Sequence, residues 1–150
     1  MKPALFEITL KVFLLRDREF LALRDRKTGS GDLPGGRLSK GEIYRPWSEQ
    51  VRRELHEELG DELVFELVDK DPLFIFPHFI EESGSEALGM AFRARYISGS
   101  IQLSAEHDYF EWVAMRSFEA GSLFKAHLAE AVRRFQNLVQ SESDSKPSAI

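Results

Sequence analysis

Glu54, Glu57 and Glu58 stand at i, i+3 and i+4, a spacing that puts three carboxylates on one face of a helix. So close a set repels itself, and a cation held among them removes the repulsion. Carboxylate oxygens are hard ligands, suited to magnesium or manganese. The chain has no cysteine, which excludes a thiolate site. Magnesium held by a few carboxylates takes phosphate oxygens and waters as its remaining ligands, so this chemistry points to a phosphorylated substrate. Leu33-Pro34-Gly35-Gly36 and Gly41-Glu42 precede the carboxylates, and a glycine-rich turn lets backbone approach the same point. The spacing also suits an ordinary solvated face on which Arg52 and Arg53 pair with the acids, Arg53 with Glu57 at i, i+4.

Taken together, the glycines and the acids resemble the Nudix hydrolase family. Its box reads G-x5-E-x7-R-E-U-x-E-E-x-G-U, where U is a bulky apolar residue. Gly36-x5-Glu42 is similar to the first half and Arg53-Glu54-Leu55-x-Glu57-Glu58-x-Gly60 to the second. Two features depart from the pattern. Ten residues, 43–52, separate Glu42 from Arg53 where the box has seven, an insertion assigned to Ile43-Tyr44-Arg45. Asp61 also stands where the box has an apolar residue.

The resemblance implies an α/β chain folded as an α+β sandwich, with a mixed β-sheet between helices. It implies a divalent-metal-dependent pyrophosphohydrolase, with Mg2+ or Mn2+ as cofactor, that cleaves a nucleoside diphosphate linked to another moiety. Glu54, Glu57 and Glu58 are then metal ligands and catalytic residues. Gly36 joins them through its carbonyl, and Arg53 orients the glutamates while paired with Glu42. Some members take a general base from a loop outside the box, and Glu106 in Glu106-His107-Asp108 is the candidate here. Arg24 and Arg26, ahead of the glycine loop, are candidates for clamping substrate phosphates. His56 reads as incidental, His78 as structural, and Phe74, Phe76 and Phe79 as strand packing.

The expected partner is a small phosphorylated nucleotide, either a nucleoside triphosphate or a nucleoside diphosphate sugar of the ADP-ribose type. Pro77 lies 16 residues past Asp61, an offset seen in members that hydrolyse ADP-ribose. A net charge of −5 argues against a nucleic-acid face. Two other readings stay open: an RNA 5′-end pyrophosphohydrolase, and a non-catalytic nucleotide-binding module on the same fold. The insertion favours the module and the intact glutamates oppose it.

The positioning elements follow from hydropathy. Phe6, Ile8, Leu10, Val12 and Leu14 alternate with Glu7, Thr9 and Lys11 as a strand. A charged turn leads to a second strand over 20–23, and 28–32 reads as a flexible loop. A helix starts near Pro46 with Val51, Leu55 and Leu59 as its apolar stripe, and Gly60 stops it. Strands are expected over 63–68, 73–80, 88–97 and 109–113, and a helix over 123–139. Residues 1–140 read as one domain and 141–150 as a disordered polar tail. Apolar content of 43% and charged content of 30% are those of a globular protein. The chain shows neither a signal peptide nor a membrane span, and its lack of cysteine suits the cytoplasm. It is expected to be a monomer or a homodimer.

Overall fold

The computed structural model describes residues 1–145. Strands β1 (Glu7–Arg16), β2 (Glu19–Asp25), β3 (Gly31–Asp32) and β4 (Gly35–Arg37) come first. Helix α1 (Trp47–Leu59) follows, then β5 (Val64–Leu67), β6 (Phe74–Ile80), β7 (Ser85–Ser98), β8 (His107–Ala114) and helix α2 (Ala126–Ser145). The strands form one mixed sheet. β1 and β7 run parallel from Glu7 beside Ala87 to Leu15 beside Arg95. The free edge of β1 is shared by β4 (Thr9–Lys11 against Gly35–Arg37) and β2 (Leu15 and Arg16). β8 pairs antiparallel along β2. β6 and β5 pair with successive halves of β7.

The sheet lies between the two helices because the C-terminal half of β1 is apolar on both faces. Leu10, Val12 and Leu14 pack with Val51, Leu55 and Leu59 of α1. Phe13 points to the opposite face and packs with Phe135 and Val132 of α2. The Phe13 and Phe135 rings stack 3.9 Å apart and Phe20 meets Phe13 edge-on at 5.6 Å. Such pairs add about 0.5–1.5 kcal/mol each beyond their buried area, which fixes α2 on the sheet. The mixed sheet between helices expected from the sequence is therefore the fold of this chain.

Several boundaries differ from the sequence reading, each for a tertiary reason. Thr9 and Lys11 are not the wet face of β1: both are buried, because β1 is a central strand covered on both sides. β3 and β4 are too short for any periodic signal, and β3 falls in the segment read as a flexible loop. β8 begins at His107, since Asp25 of β2 pairs with it. α2 runs on to Ser145, through residues 141–145 that were expected to be a disordered tail. Residues 146–150, the rest of that expected tail, lie outside the described residues. No helix among the described residues is long and apolar enough to cross a membrane.

Candidate active site

Three segments meet at one point: the glycine turn of β4, the C-terminal half of α1, and the loop entering β8. Gly35 lies so close to β1 that a Cβ there would sit 1.8 Å from the Leu10 carbonyl oxygen. Gly36 lies against α1, where a Cβ would sit 2.2 Å from Oε2 of Glu54. Only glycine lets backbone reach this carboxylate.

On α1 the buried stripe is Val51, Leu55 and Leu59, as the spacing demands. Glu54 and Glu58 flank it and keep only 12% and 11% of their side chains exposed, whereas Glu57 keeps 60%. Arg53 gathers the acids. Its Nη1 donates to Glu42 Oε2 at 2.5 Å and its Nη2 to Glu54 Oε1 at 3.1 Å, and Nε lies 3.6 Å from Glu57 Oε1. Glu42 also accepts the Ser39 N–H. The Arg53 hydrogen bond, then the Ser39 N–H, hold the Glu42 carboxyl down to about 2. The three-residue insertion leaves this pair intact, because it folds into a 3-10 turn over Glu42–Tyr44. That turn is pinned by Trp47 Nε1 donating to the Ile43 carbonyl at 3.1 Å.

Burial raises the pKa of Glu54. Burial pushes Glu58 up further, to about 8, against the opposing pull of Lys11 and His107. Glu58 accepts the Gly35 N–H at 3.3 Å. The sign of the resulting pH dependence is fixed. A carboxyl raised by folding stabilises fully below its ordinary value of 4.5, and that contribution is lost as pH rises through about 8. With metals chelated, Glu58→Gln is therefore expected to be more stable than wild type at pH 9, by on the order of 4 kcal/mol. At pH 5 the two should be nearly equal. Urea unfolding at both pH values checks this, and equal stability at pH 9 contradicts it.

Behind the carboxylates lies a buried charged chain that the sequence reading missed. Lys11 Nζ donates to Asp32 Oδ1 at 2.7 Å, and His107 Nε2 lies 2.8 Å from Asp32 Oδ2. Burial opposes every charge here. Lys11 and His107 nevertheless hold the Asp32 carboxyl well below its usual range, and Asp32 raises both partners. One signal was available in the sequence: a lysine flanked by apolar residues in a strand too hydrophobic to have a wet face.

Among the described residues, Glu58, Glu106 and His107 form a grouping whose ligand atoms all lie within 4.8 Å of one another. Glu54 and Glu57 are outside this grouping, turned toward Arg53. Arg24 Nε donates to Asp108 and Arg26 Nε to the Ala105 carbonyl, each at 2.9 Å. Both arginines thus border the loop that carries Glu106. His56 Nδ1 lies 3.2 Å from the Gly60 carbonyl at the end of α1. Burial, foremost, lowers His78 to about 4. Phe74 and Phe76 are core, while Phe79 is half exposed.

A NUDIX domain family model matches residues 6–135. The chain belongs to the Nudix family. It is a hydrolase acting on pyrophosphate bonds, in a family that takes small phosphorylated nucleotides and uses divalent metals. Solved structures share the Nudix fold. A MutT protein from Methanosarcina mazei Go1 is 23% identical with a TM-score of 0.71, over 94% of this chain and 96% of that one. An ADP-ribose pyrophosphatase from Streptococcus suis is 16% identical with a TM-score of 0.59, over 94% of each. A UDP-X diphosphatase is 16% identical with a TM-score of 0.69, over 95% of this chain and 66% of that one. No curated protein matches the chain by sequence. The donor set fits a divalent cation: the carboxylates of Glu58 and Glu106 and the His107 imidazole group together, with Glu54 against the Gly36 backbone beside them.

Proposed function

We propose that this Nudix protein hydrolyses the pyrophosphate link of a nucleoside diphosphate derivative, of the nucleoside triphosphate or ADP-ribose and nucleotide-sugar type, with Mg2+ or Mn2+. One observation carries the reading: Glu54 and Glu58 are held largely buried against the Gly35–Gly36 backbone, with Arg53 tying Glu42, Glu54 and Glu57 together. A divalent cation bound there supplies charge neutralisation for the phosphates and an acidified water. Glu57, Glu58 and the Gly36 carbonyl hold it, with Glu54 completing the set. Glu54 owes its place to Arg53 and to the absence of a Cβ at Gly36. Arg53 and Glu42 position and do not react.

Glu106 is the proposed acceptor of the attacking water's proton, since its carboxylate reaches the neighbourhood of Glu58. Arg24 and Arg26 border the Glu106 loop through their Nε atoms, and the Arg26 N–H also donates to the Glu106 carbonyl at 2.9 Å. Their terminal nitrogens are the proposed donors to substrate phosphates, in the fork geometry that suits them. The Glu42–Arg53 pair spans the insertion and supports catalysis over a binding module.

Substrate class is decided by product chromatography. Purified protein with Mg2+ is offered ADP-ribose, nucleotide sugars and nucleoside triphosphates in parallel. Release of a nucleoside monophosphate from one of them is the expected result. Cleavage only of RNA 5′ ends, or of nothing offered, contradicts the proposal.

A further inference from the structure

His107 has a ring nitrogen without a partner. Its side chain is 1% exposed, Nε2 is engaged by Asp32 at 2.8 Å, and Nδ1 is buried with no hydrogen bond. Buried polar atoms are nearly always satisfied, so an orphan in this position calls for an explanation. Nδ1 lies 3.9 Å from Oε2 of Glu58, too far for a hydrogen bond, and the Glu106 carboxylate is within 4.8 Å of both. In the tautomer that donates Nε2–H to Asp32, Nδ1 presents its lone pair to two carboxylates. Only a cation or a proton relieves three electron-rich atoms so placed.

Two ligands bound at about 2.1 Å stand roughly 3.0 Å apart when cis and about 4.2 Å apart when trans. At 3.9 Å Nδ1 and Oε2 are within the reach of one cation, which would draw them together by about 1 Å into a cis pair. The support for the ring has the form of a carboxylate–histidine–metal relay, in which the outer carboxylate fixes tautomer and ring orientation. Lys11 in turn anchors that outer carboxylate, and the Leu33 N–H donates to it as well. The ring is thus held rigidly from behind.

We propose that His107 Nδ1 is a nitrogen ligand to the cation held by Glu58, and that this chain's metal site is therefore tuned toward transition metals over magnesium. This rests on the reading of Glu58 as a metal ligand. Imidazole nitrogen is a softer donor than carboxylate and suits iron and its later neighbours best, with manganese the weakest binder of that first-row series, whereas magnesium prefers oxygen throughout. The catalytic carboxylates still serve a hard cation, so the preference is a bias in affinity. His107 acts here by binding, with Asp32 and Lys11 as its positioning residues.

The test uses Mn2+ alone as probe and the full chain grown with 15N-histidine, read by pulsed electron paramagnetic resonance. A 15N coupling typical of a directly bound imidazole is expected in wild type and absent from His107→Gln. Mn2+ affinity should fall about tenfold or more in that variant, with the Mg2+ affinity moving less. Should His107→Gln fold poorly, the triple variant His56→Gln, His78→Gln, His127→Gln must keep the coupling. Mn2+ bound in a Glu58→Gln-sensitive manner without histidine coupling overturns the inference and leaves the active-site reading standing. An ordered water filling the gap gives that result. Mn2+ binding that ignores Glu58→Gln overturns both.

Discussion

Glu58→Gln is expected to lower kcat by roughly a thousandfold, the equivalent of about 4 kcal/mol of transition-state stabilisation. The substitution preserves volume, and the amide oxygen still accepts the Gly35 N–H that holds the side chain at 3.3 Å. What disappears is a negative charge. Glu58 is buried enough to be pushed up to about 8, so its charged form is costly without a counter-charge. The proposed divalent cation is what would meet that charge. The variant should therefore trade activity for stability, losing turnover while its metal-free form gains resistance to unfolding at alkaline pH. Steady-state kinetics beside urea unfolding separate the two effects. A kcat within tenfold of wild type contradicts the assignment.

Gly36→Ala is expected to cost about a hundredfold in kcat with a small change in Tm. The added Cβ would sit 2.2 Å from Oε2 of Glu54, and a carboxylate at the end of a flexible side chain can yield. It yields by swinging away from the site, and a displacement of about 1 Å among reacting groups costs on the order of 10²-fold. Gly35→Ala makes the informative contrast. Its Cβ would meet the Leu10 carbonyl oxygen at 1.8 Å, within backbone that cannot move without disturbing the pairing of β4 on β1. That variant should lose Tm and activity together. Thermal unfolding with kinetics on both variants checks the pair, and a Gly36→Ala enzyme of normal kcat would show that the position of Glu54 is immaterial.

The parts of the site legible in the sequence were those written in local spacing. The acid face of α1, its Val51-Leu55-Leu59 stripe and the Gly60 stop all follow from periodicity and glycine chemistry within one segment. The Glu42–Arg53 pair was legible through the family pattern, and the insertion could not break it because three extra residues fit in one 3-10 turn. What stayed hidden was assembled over distance. Asp32, Lys11 and His107 come from three separate strands or their edges, and nothing local to any of them announces the others. β3 and β4 exist only because β2 and β1 offer edges to pair with. The extra turns of α2 beyond 139 have a similar origin, since Glu142 pairs with Arg93 of β7 at 2.9 Å. The polar composition there suits a tail but serves a helix face reaching back to the sheet.

The most direct test is release of a nucleoside monophosphate, read by product chromatography, from nucleoside triphosphates and ADP-ribose by chelator-treated protein, measured before and after Mg2+ or Mn2+ is restored. No turnover is expected without metal, with recovery on its return and little recovery for Glu58→Gln. Turnover that persists in chelator, or that recovers equally in the variant, would contradict this.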